Sequence, residues 1–286
     1  LKISKESMGD RTRAGNHVAK IEYLEYLGSG LYRMGLSAKG ISKGASPGQF
    51  YMIRVHKGLH PLLRRPFAIS RRYLSKARHV PHGDGMEILF QVVGIGTQML
   101  SEKSEGDLLE ALGPLGRGWR LDPVRSPVLV GGGIGVASLL SLAEELPQEI
   151  REKAIAILGA RERDQLVALE DFQRAGLRTL WIVEEASRGG RAGTVMDLLR
   201  ELEGDLSSMD AHVYTCGPPA MIRAVAGWSK EREIPCQVSL ETVMACGMGL
   251  CLGCAVRTSG GHGYKKACID GPVFDAADLE WGNING

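Results

Sequence analysis

Between residue 17 and about residue 121, apolar and polar positions alternate in short runs separated by glycine and proline. Examples are 18-VAKIEYLEYL-27, 31-LYRMGLSA-38, 50-FYMIRV-55 and 86-MEILFQVV-93. A period of two broken by turn residues predicts half-buried strands, and several in succession predict a small antiparallel barrel. A helix-period run enters late, at 97-TQMLSEK-103. From Ser126 the rhythm changes to near-continuous apolar runs at 127–131, 154–160, 178–185 and 211–217. They alternate with helical patterns at 136–146, 164–175, 193–202 and 218–232. Buried strands joined by helices predict a doubly wound parallel sheet covered on both faces. The chain therefore reads as α/β plus β, in four parts: a polar arm (1–16), a β-barrel domain (17–122), an α/β domain (123–233) and a small C-terminal cysteine module (234–286).

Composition narrows the picture without changing it. The 286 residues suit two domains and a module, and a net charge of +2 with 24% charged residues gives no basis for nucleic-acid or membrane-surface binding. The uncharged stretch 126-SPVLVGGGIGVASLLSLA-143 is long enough to suggest a membrane span. Its four glycines within five positions, and the return of charge at Glu144 and Glu145, favour a buried strand, a turn and a helix start. The N-terminus is charged and lacks the apolar core of a signal peptide. The six cysteines are too clustered for a secreted disulfide framework, and a reducing cytoplasm is expected.

Four of those cysteines are spaced Cys246-x4-Cys251-x2-Cys254-x13-Cys268. This is the spacing of a plant-type [2Fe–2S] site, in which four thiolates hold two irons. Gly247, Gly249 and Gly253 allow the tight backbone that brings N–H groups to the sulfurs. Structural zinc usually pairs two C-x2-C knuckles, whereas here the first gap is four residues and three candidate ligands crowd one loop. Four buried free thiols are the remaining reading.

Three further stretches carry chemistry. In 64-RRPFAIS-70 the Arg65–Pro66 pair fixes an extended backbone and presents a guanidinium to a phosphate or flavin, though such pairs also make surface turns. In 93-VGIGTQML-100, Gly94, Gly96 and Thr97 begin a helix whose free N–H groups suit a pyrophosphate; an ordinary N-cap at Thr97 is the plainer reading. In 130-VGGGIGVASLL-140 a strand runs through Gly131, Gly132, Gly133 and Gly135 into a helix, a phosphate cradle. Val136 stands where the usual fingerprint has a third glycine, and no acidic residue ends a second strand about 20 residues on. At 214-YTCGPPAM-221 a strand ends where open α/β sheets bind ligands, placing Cys216 to face a nicotinamide ring above a floor of Gly217 and Pro218. A buried structural cysteine is the alternative there, and Cys236 is expected to be core.

The order of these motifs, with 47-PGQF-50, 62-LLRRPFAIS-70, 113-GPLG-116 and 268-CIDGPVF-274, resembles the ferredoxin–NADP reductase superfamily. Within it, the chain looks most like the electron-transfer subunits of dihydroorotate dehydrogenase B, from about residue 17 to 280. The resemblance implies FAD in the barrel, NAD in the α/β domain and a [2Fe–2S] cluster in the tail. Arg65, Pro66, Phe67 and Ala68 would line the flavin, with Leu89, Phe90 and Gln91 near it and Gly96 and Thr97 at its phosphates. Ala68 replaces a serine that many members aim at the flavin ring, and Phe90–Gln91 replaces a frequent Tyr–Arg pair.

A relay follows from the resemblance. Nicotinamide takes electrons as hydride and a cluster carries them singly, so a flavin must stand between them. Dihydroorotate oxidation needs a catalytic partner holding FMN, as in a heterotetramer of two copies of each chain, since this chain has no room for a second barrel of about 250 residues. Reductase subunits of hydrogenases, sulfide dehydrogenases or ferredoxin-dependent transhydrogenases are the alternative; the transhydrogenase type tends to carry aspartate where this chain has Cys246. A redox-sensing cluster protein is the non-enzyme reading. Arg161 and Arg163 leave NAD against NADP open, with NAD preferred.

Overall fold

The computed structural model describes residues 14–73, 84–121, 126–185, 190–261 and 263–283. Most of the expected polar arm (1–13) and the expected boundary at 122/123 lie outside the described residues.

The first layer is a seven-stranded sheet of β1 (Gly15–Gly28), β2 (Leu31–Ser37), β3 (Phe50–Arg54), β4 (Arg65–Ala68), β5 (Arg71–Tyr73), β6 (Gly85–Gln91) and β7 (Leu108–Leu115). Every pair is antiparallel, in the order β4-β3-β7-β1-β2-β6-β5. The sheet curls into a half-barrel, with β4 lying near β6. Alternation along the strands sends Ala19, Ile21, Met34, Leu36, Tyr51, Ile53, Met86 and Ile88 into its interior, all fully buried. The helix expected at 97–103 is α1 (Ile95–Ser101), which begins two residues earlier.

The second layer is a six-stranded sheet. It is built from β8 (Ser126–Gly132), β9 (Ile155–Ala160), β10 (Arg178–Val183) and β11 (Ala211–Cys216), and it alternates with α2 (Val136–Glu145), α3 (Gln148–Arg151), α4 (Leu169–Arg174), α5 (Val195–Glu201), α6 (Glu203–Ser207) and α7 (Pro219–Glu231). Leu139 and Leu140 of α2 and Phe172 of α4 cover one face, while Leu198 and Leu199 of α5 and Ile222 and Val225 of α7 cover the other. Both faces being covered accounts for apolar strands that show no alternation. The helix expected over 164–175 is divided: a short 3₁₀ turn spans Arg163–Gln165, and α4 starts only after Ala168, whose φ of 64° breaks the helical path. The apolar 126–143 stretch is β8, a 3₁₀ turn and most of α2; among the described residues no helix is long and apolar enough to cross a membrane.

Two strands of this sheet come from the cysteine module. Strand β12 (Cys236–Ser239) pairs parallel with β11, so β11 is not the last parallel strand, as its sequence position suggests. After a small hairpin of β13 (Ala255–Arg257) and β14 (Tyr264–Lys266), strand β15 (Val273–Asp275) closes the edge antiparallel to β12. The sheet order is β10-β9-β8-β11-β12-β15. Cys236 is core, as expected. The module is thus continuous with the sheet of the α/β domain, and its cysteine loop follows the end of β12.

Candidate cofactor cavity and cysteine loop

A cavity of about 690 Å³ opens where the half-barrel, the carboxyl ends of the parallel strands and the start of the cysteine loop meet. From the barrel, β4 contributes Arg65, Pro66, Phe67 and Ala68, and β6 contributes Leu89, Phe90 and Gln91; Gly96 and Thr97 come from α1. From the α/β domain come Gly135 and Cys216. With Gly94, these sequence-predicted residues are thereby brought to one space from segments far apart in the chain.

The local structure explains their placement. The Phe90 ring stacks on Tyr32 at 5.4 Å and meets Phe67 edge-on at 6.0 Å, which fixes the apolar wall. Arg65 lies against α1: a Cβ on Gly96 would come within 3.0 Å of its Nε. Thr97 is not the N-cap. Gly94 holds that position, and the Thr97 hydroxyl accepts hydrogen bonds from the Val93 and Gly94 N–H groups at 2.9 and 3.2 Å, tightening the loop from inside the first turn.

Gly131, Gly132, Gly133, Val136, Gly217 and Pro218 are not cavity-lining; they build the crossing of two strand–helix turns behind it. Val136 is buried and packs over Gly131. A Cβ on Gly132 would meet Met221 Sδ at 2.6 Å and Pro218 at 3.0 Å, and one on Gly135 would meet Gly217 backbone at 2.6 Å. These glycines let the β8–α2 turn touch the β11–α7 turn. Cys216 is only 3% exposed, and burial pushes its thiol far above the ordinary value, so it stays protonated and neutral.

Sequence reasoning missed the end of β12 and the segment after it. Ser239, Leu240, Glu241, Thr242 and Met244 complete the cavity wall, and the buried Thr242 hydroxyl has no protein partner. A polar atom left so costs stability unless something in the cavity receives it. No motif marks these residues; their one signal is position, between a buried strand and the first cysteine. With an arginine beside a glycine turn, an aromatic wall and an unpartnered hydroxyl, the cavity suits a large flat aromatic ligand with a phosphate tail.

The cysteine loop packs on the barrel. Gly247 and Gly249 have φ of 69° and 77°, and a Cβ would strike Met52 at the first and Ile269 at the second. Only glycine allows both the left-handed backbone and that approach. Met248 N–H points to Cys246 Sγ at 3.4 Å, and N–H groups of Cys251, Met248 and Leu250 bring the Cys246 thiol down to about 6. Cys254 and Cys268 are buried with sulfurs 3.2 Å apart; burial and the neighbouring Cys254 push Cys268 up to about 12. The sulfurs group two by two, Cys246 with Cys251 and Cys254 with Cys268, and among the described residues no three His, Cys, Asp or Glu side chains converge on one ion. A two-iron cluster held by four cysteines asks for two thiolates at each iron, and the donated N–H groups are those that stabilise a thiolate. The residues fit the cluster.

Comparison with known proteins agrees with this geometry. Residues 129–227 match the family described as oxidoreductase NAD-binding domain, and residues 241–280 match the iron-sulfur cluster binding domain of dihydroorotate dehydrogenase B. The electron transfer subunit of dihydroorotate dehydrogenase B (NAD(+)) from Caldanaerobacter subterraneus subsp. tengcongensis is 38% identical over 255 residues, covering 88% of this chain and 94% of that one. Its counterpart from Desulforamulus reducens is 36% identical over 268 residues, covering 92% and 97%. Among solved structures, an NADH-dependent reduced ferredoxin-NADP oxidoreductase superposes with a TM-score of 0.77 at 28% identity, over 93% of this chain and 90% of that one. A ferredoxin NADP+ reductase from Neisseria gonorrhoeae, at 16% identity and a TM-score of 0.61 over 78% of this chain and 92% of that one, shares the fold. This chain is an oxidoreductase subunit with a ferredoxin–NADP reductase fold, and it belongs to the family of dihydroorotate dehydrogenase B electron transfer subunits.

Proposed function

We propose that this chain passes electrons from a catalytic, FMN-containing dihydroorotate dehydrogenase subunit to NAD+ in pyrimidine biosynthesis. It would work in the cytoplasm, in a heterotetramer of two copies of each chain. The observation that carries this reading is a cavity shared by the barrel, the nucleotide domain and the root of the cysteine loop. One space touching all three parts is what a relay between a one-electron centre and a hydride acceptor requires.

Within that reading, residues 17–122 hold FAD, 123–233 hold NAD, and 234–286 hold the [2Fe–2S] cluster on Cys246, Cys251, Cys254 and Cys268. When bound, the cluster would supply single-electron chemistry and the flavin the exchange between single electrons and the hydride that NAD+ accepts. The chain's own residues orient and enclose. Arg65, Gly96 and Thr97 meet the flavin's phosphates, while Pro66, Phe67, Ala68, Leu89, Phe90 and Gln91 bound its ring and stem. Gly131, Gly132, Gly133, Gly135, Val136, Gly217 and Pro218 shape the paired turns that seat the dinucleotide. Cys216, neutral and at the cavity wall, gives the nicotinamide an uncharged contact face. Around the exposed Cys251 lie Val243 (82% exposed), Leu250 (78%) and Leu252 (62%), an apolar rim suited to the partner's docking surface.

The test is to copurify the chain with its flavoprotein partner and add dihydroorotate and NAD+. Growth of NADH absorbance is expected. No turnover with dihydroorotate, but NADH-driven reduction of a ferredoxin or hydrogenase partner, would keep the fold and move the function to a different reductase complex.

A further inference from the structure

We propose that Lys266 sets the reduction potential of the four-cysteine site by acting through the peptide group between Gly249 and Leu250, a proposal that rests on the cluster reading above. Lys266 is on β14, where the register pairs it with Ala255, the residue after Cys254, and it precedes Cys268 by two positions. Its neighbour Ala267 donates an N–H to the Cys254 carbonyl at 3.0 Å. The Lys266 carbonyl accepts the N–H groups of Ile269 and Asp270 at 3.0 and 2.7 Å, and its own N–H donates to the Asp270 carboxylate at 2.8 Å. The backbone that carries this side chain is thus fixed beside two of the candidate ligands.

The half-buried side chain reaches back to the cysteine loop, and Nζ donates to the Gly249 carbonyl at 3.2 Å. That oxygen belongs to the same planar trans peptide as the Leu250 N–H, which is one of the donors to Cys246 Sγ. A cation on the carbonyl polarises the amide and strengthens the N–H on its opposite side. The Gly249 N–H, from the preceding peptide, donates to Cys268. Gly249 therefore stands between one ligand of each sulfur pair, and Lys266 holds it there. The neighbouring Lys265 is occupied by Asp278 at 2.6 Å, whereas Lys266 makes no ion pair among the described residues. Its charge is left to the loop. One electron taken up at the site adds one negative charge, with no bond made or broken. A fixed ammonium and a strengthened N–H donor both favour that reduced form. A less negative couple accepts electrons from a weaker donor, which suits a site placed between a partner and the cavity.

The test is a redox titration of the full chain loaded with FAD and cluster, following the paramagnetic signal of the reduced cluster and the flavin absorbance together. Lys266→Met removes charge and donor, Lys266→Gln removes the charge but keeps an amide donor, and Lys266→Arg keeps the charge. Lys266→Met is expected to shift the oxidised-to-reduced ratio about tenfold toward the oxidised form, a midpoint lower by about 59 mV for a one-electron couple. Lys266→Gln should fall between, and Lys266→Arg near the native value. The flavin midpoint should stay in place, because Lys266 does not line the cavity. An unmoved or raised cluster midpoint in Lys266→Met, an equal shift in Lys266→Arg, or an equal shift of the flavin overturns the proposal. If Lys266→Met does not retain the cluster, Lys266→Gln is measured in its place. Loss of the cluster from that variant too would make Lys266 a builder of the loop and overturn the proposal equally. A native chain with no paramagnetic signal on reduction would remove the cluster reading itself, an outcome distinct from a native signal whose midpoint ignores Lys266.

Discussion

Arg33 on β2 and Asp171 in α4 are joined by a 2.5 Å hydrogen bond from the guanidinium Nη2 to the carboxylate Oδ2, with both residues more than nine-tenths buried. The bond ties the half-barrel to the nucleotide domain. Around it, Arg71 donates to Asp171 at 3.3 Å and to Glu144 of α2 at 2.7 Å, and Arg174 donates to Asp171 at 2.5 Å. Asp171 thus receives three arginines from two domains, and the cavity depends on their staying in register.

Substitution of Asp171 by alanine removes the shared acceptor and leaves Arg33 buried without it. Breaking a buried pair from one side costs about 3–5 kcal/mol, which urea unfolding followed by circular dichroism measures. An unchanged midpoint would show that the network adds nothing to the joining of the domains.

Acid should loosen the same junction. Burial alone would raise the Asp171 carboxyl, but the charges of Arg33 and Arg71, with hydrogen bonds from Arg174 and Arg33, hold it below the ordinary value. A carboxyl whose folded pKa is depressed contributes stability that is fully present above its unfolded value of about 3.9 and is lost as the pH falls through the folded value. Native protein should lose stability below about pH 4 more steeply than Asp171→Asn, as read by melting temperature against pH.

Gly135→Ala should damage the nucleotide side selectively. The new Cβ would stand 2.6 Å from Gly217 backbone, so the two turns must separate. Forcing extra volume into such a contact costs about 1–3 kcal/mol. The expected outcome is a raised KM for NADH with FAD retained, checked by steady-state kinetics and the flavin spectrum.

Cys251→Ser should remove the cluster's absorbance and its paramagnetic signal on reduction, while NADH still bleaches the flavin. Transfer to the partner should then stop. Loss of flavin bleaching in a folded variant would mean that the order of carriers is wrong.

Leu250→Glu places a charge in the apolar rim beside Cys251, where the native side chain is 78% exposed. Stability should change by no more than about 0.5 kcal/mol, yet association with the catalytic subunit should weaken. Urea unfolding of the variant and its copurification with the partner measure the two effects separately.

Local pattern was enough to reveal much of this protein. Alternation over 17–121 announced the antiparallel sheet, because a strand with one face on a core shows a period of two. Unbroken apolar runs such as 127-PVLVG-131 announced the parallel strands, and the spacing of Cys246, Cys251, Cys254 and Cys268 announced the cluster loop, because each is dictated by residues close in sequence. Other features needed the folded chain. Strand β12 is four residues long and carries polar Gln237 and Ser239, both buried, so its membership of the parallel sheet is decided by pairing with β11 rather than by its own pattern. The break at Ala168 is set by packing, since alanine favours helix when left to itself. Glu241 and Thr242 carry no motif and gain meaning only when β12 delivers them to a cavity that Arg65 and Phe67 also line. Spacing encodes what neighbours in the chain must do for one another; which distant segments share a space is decided by the burial of whole faces, and only the tertiary structure records it.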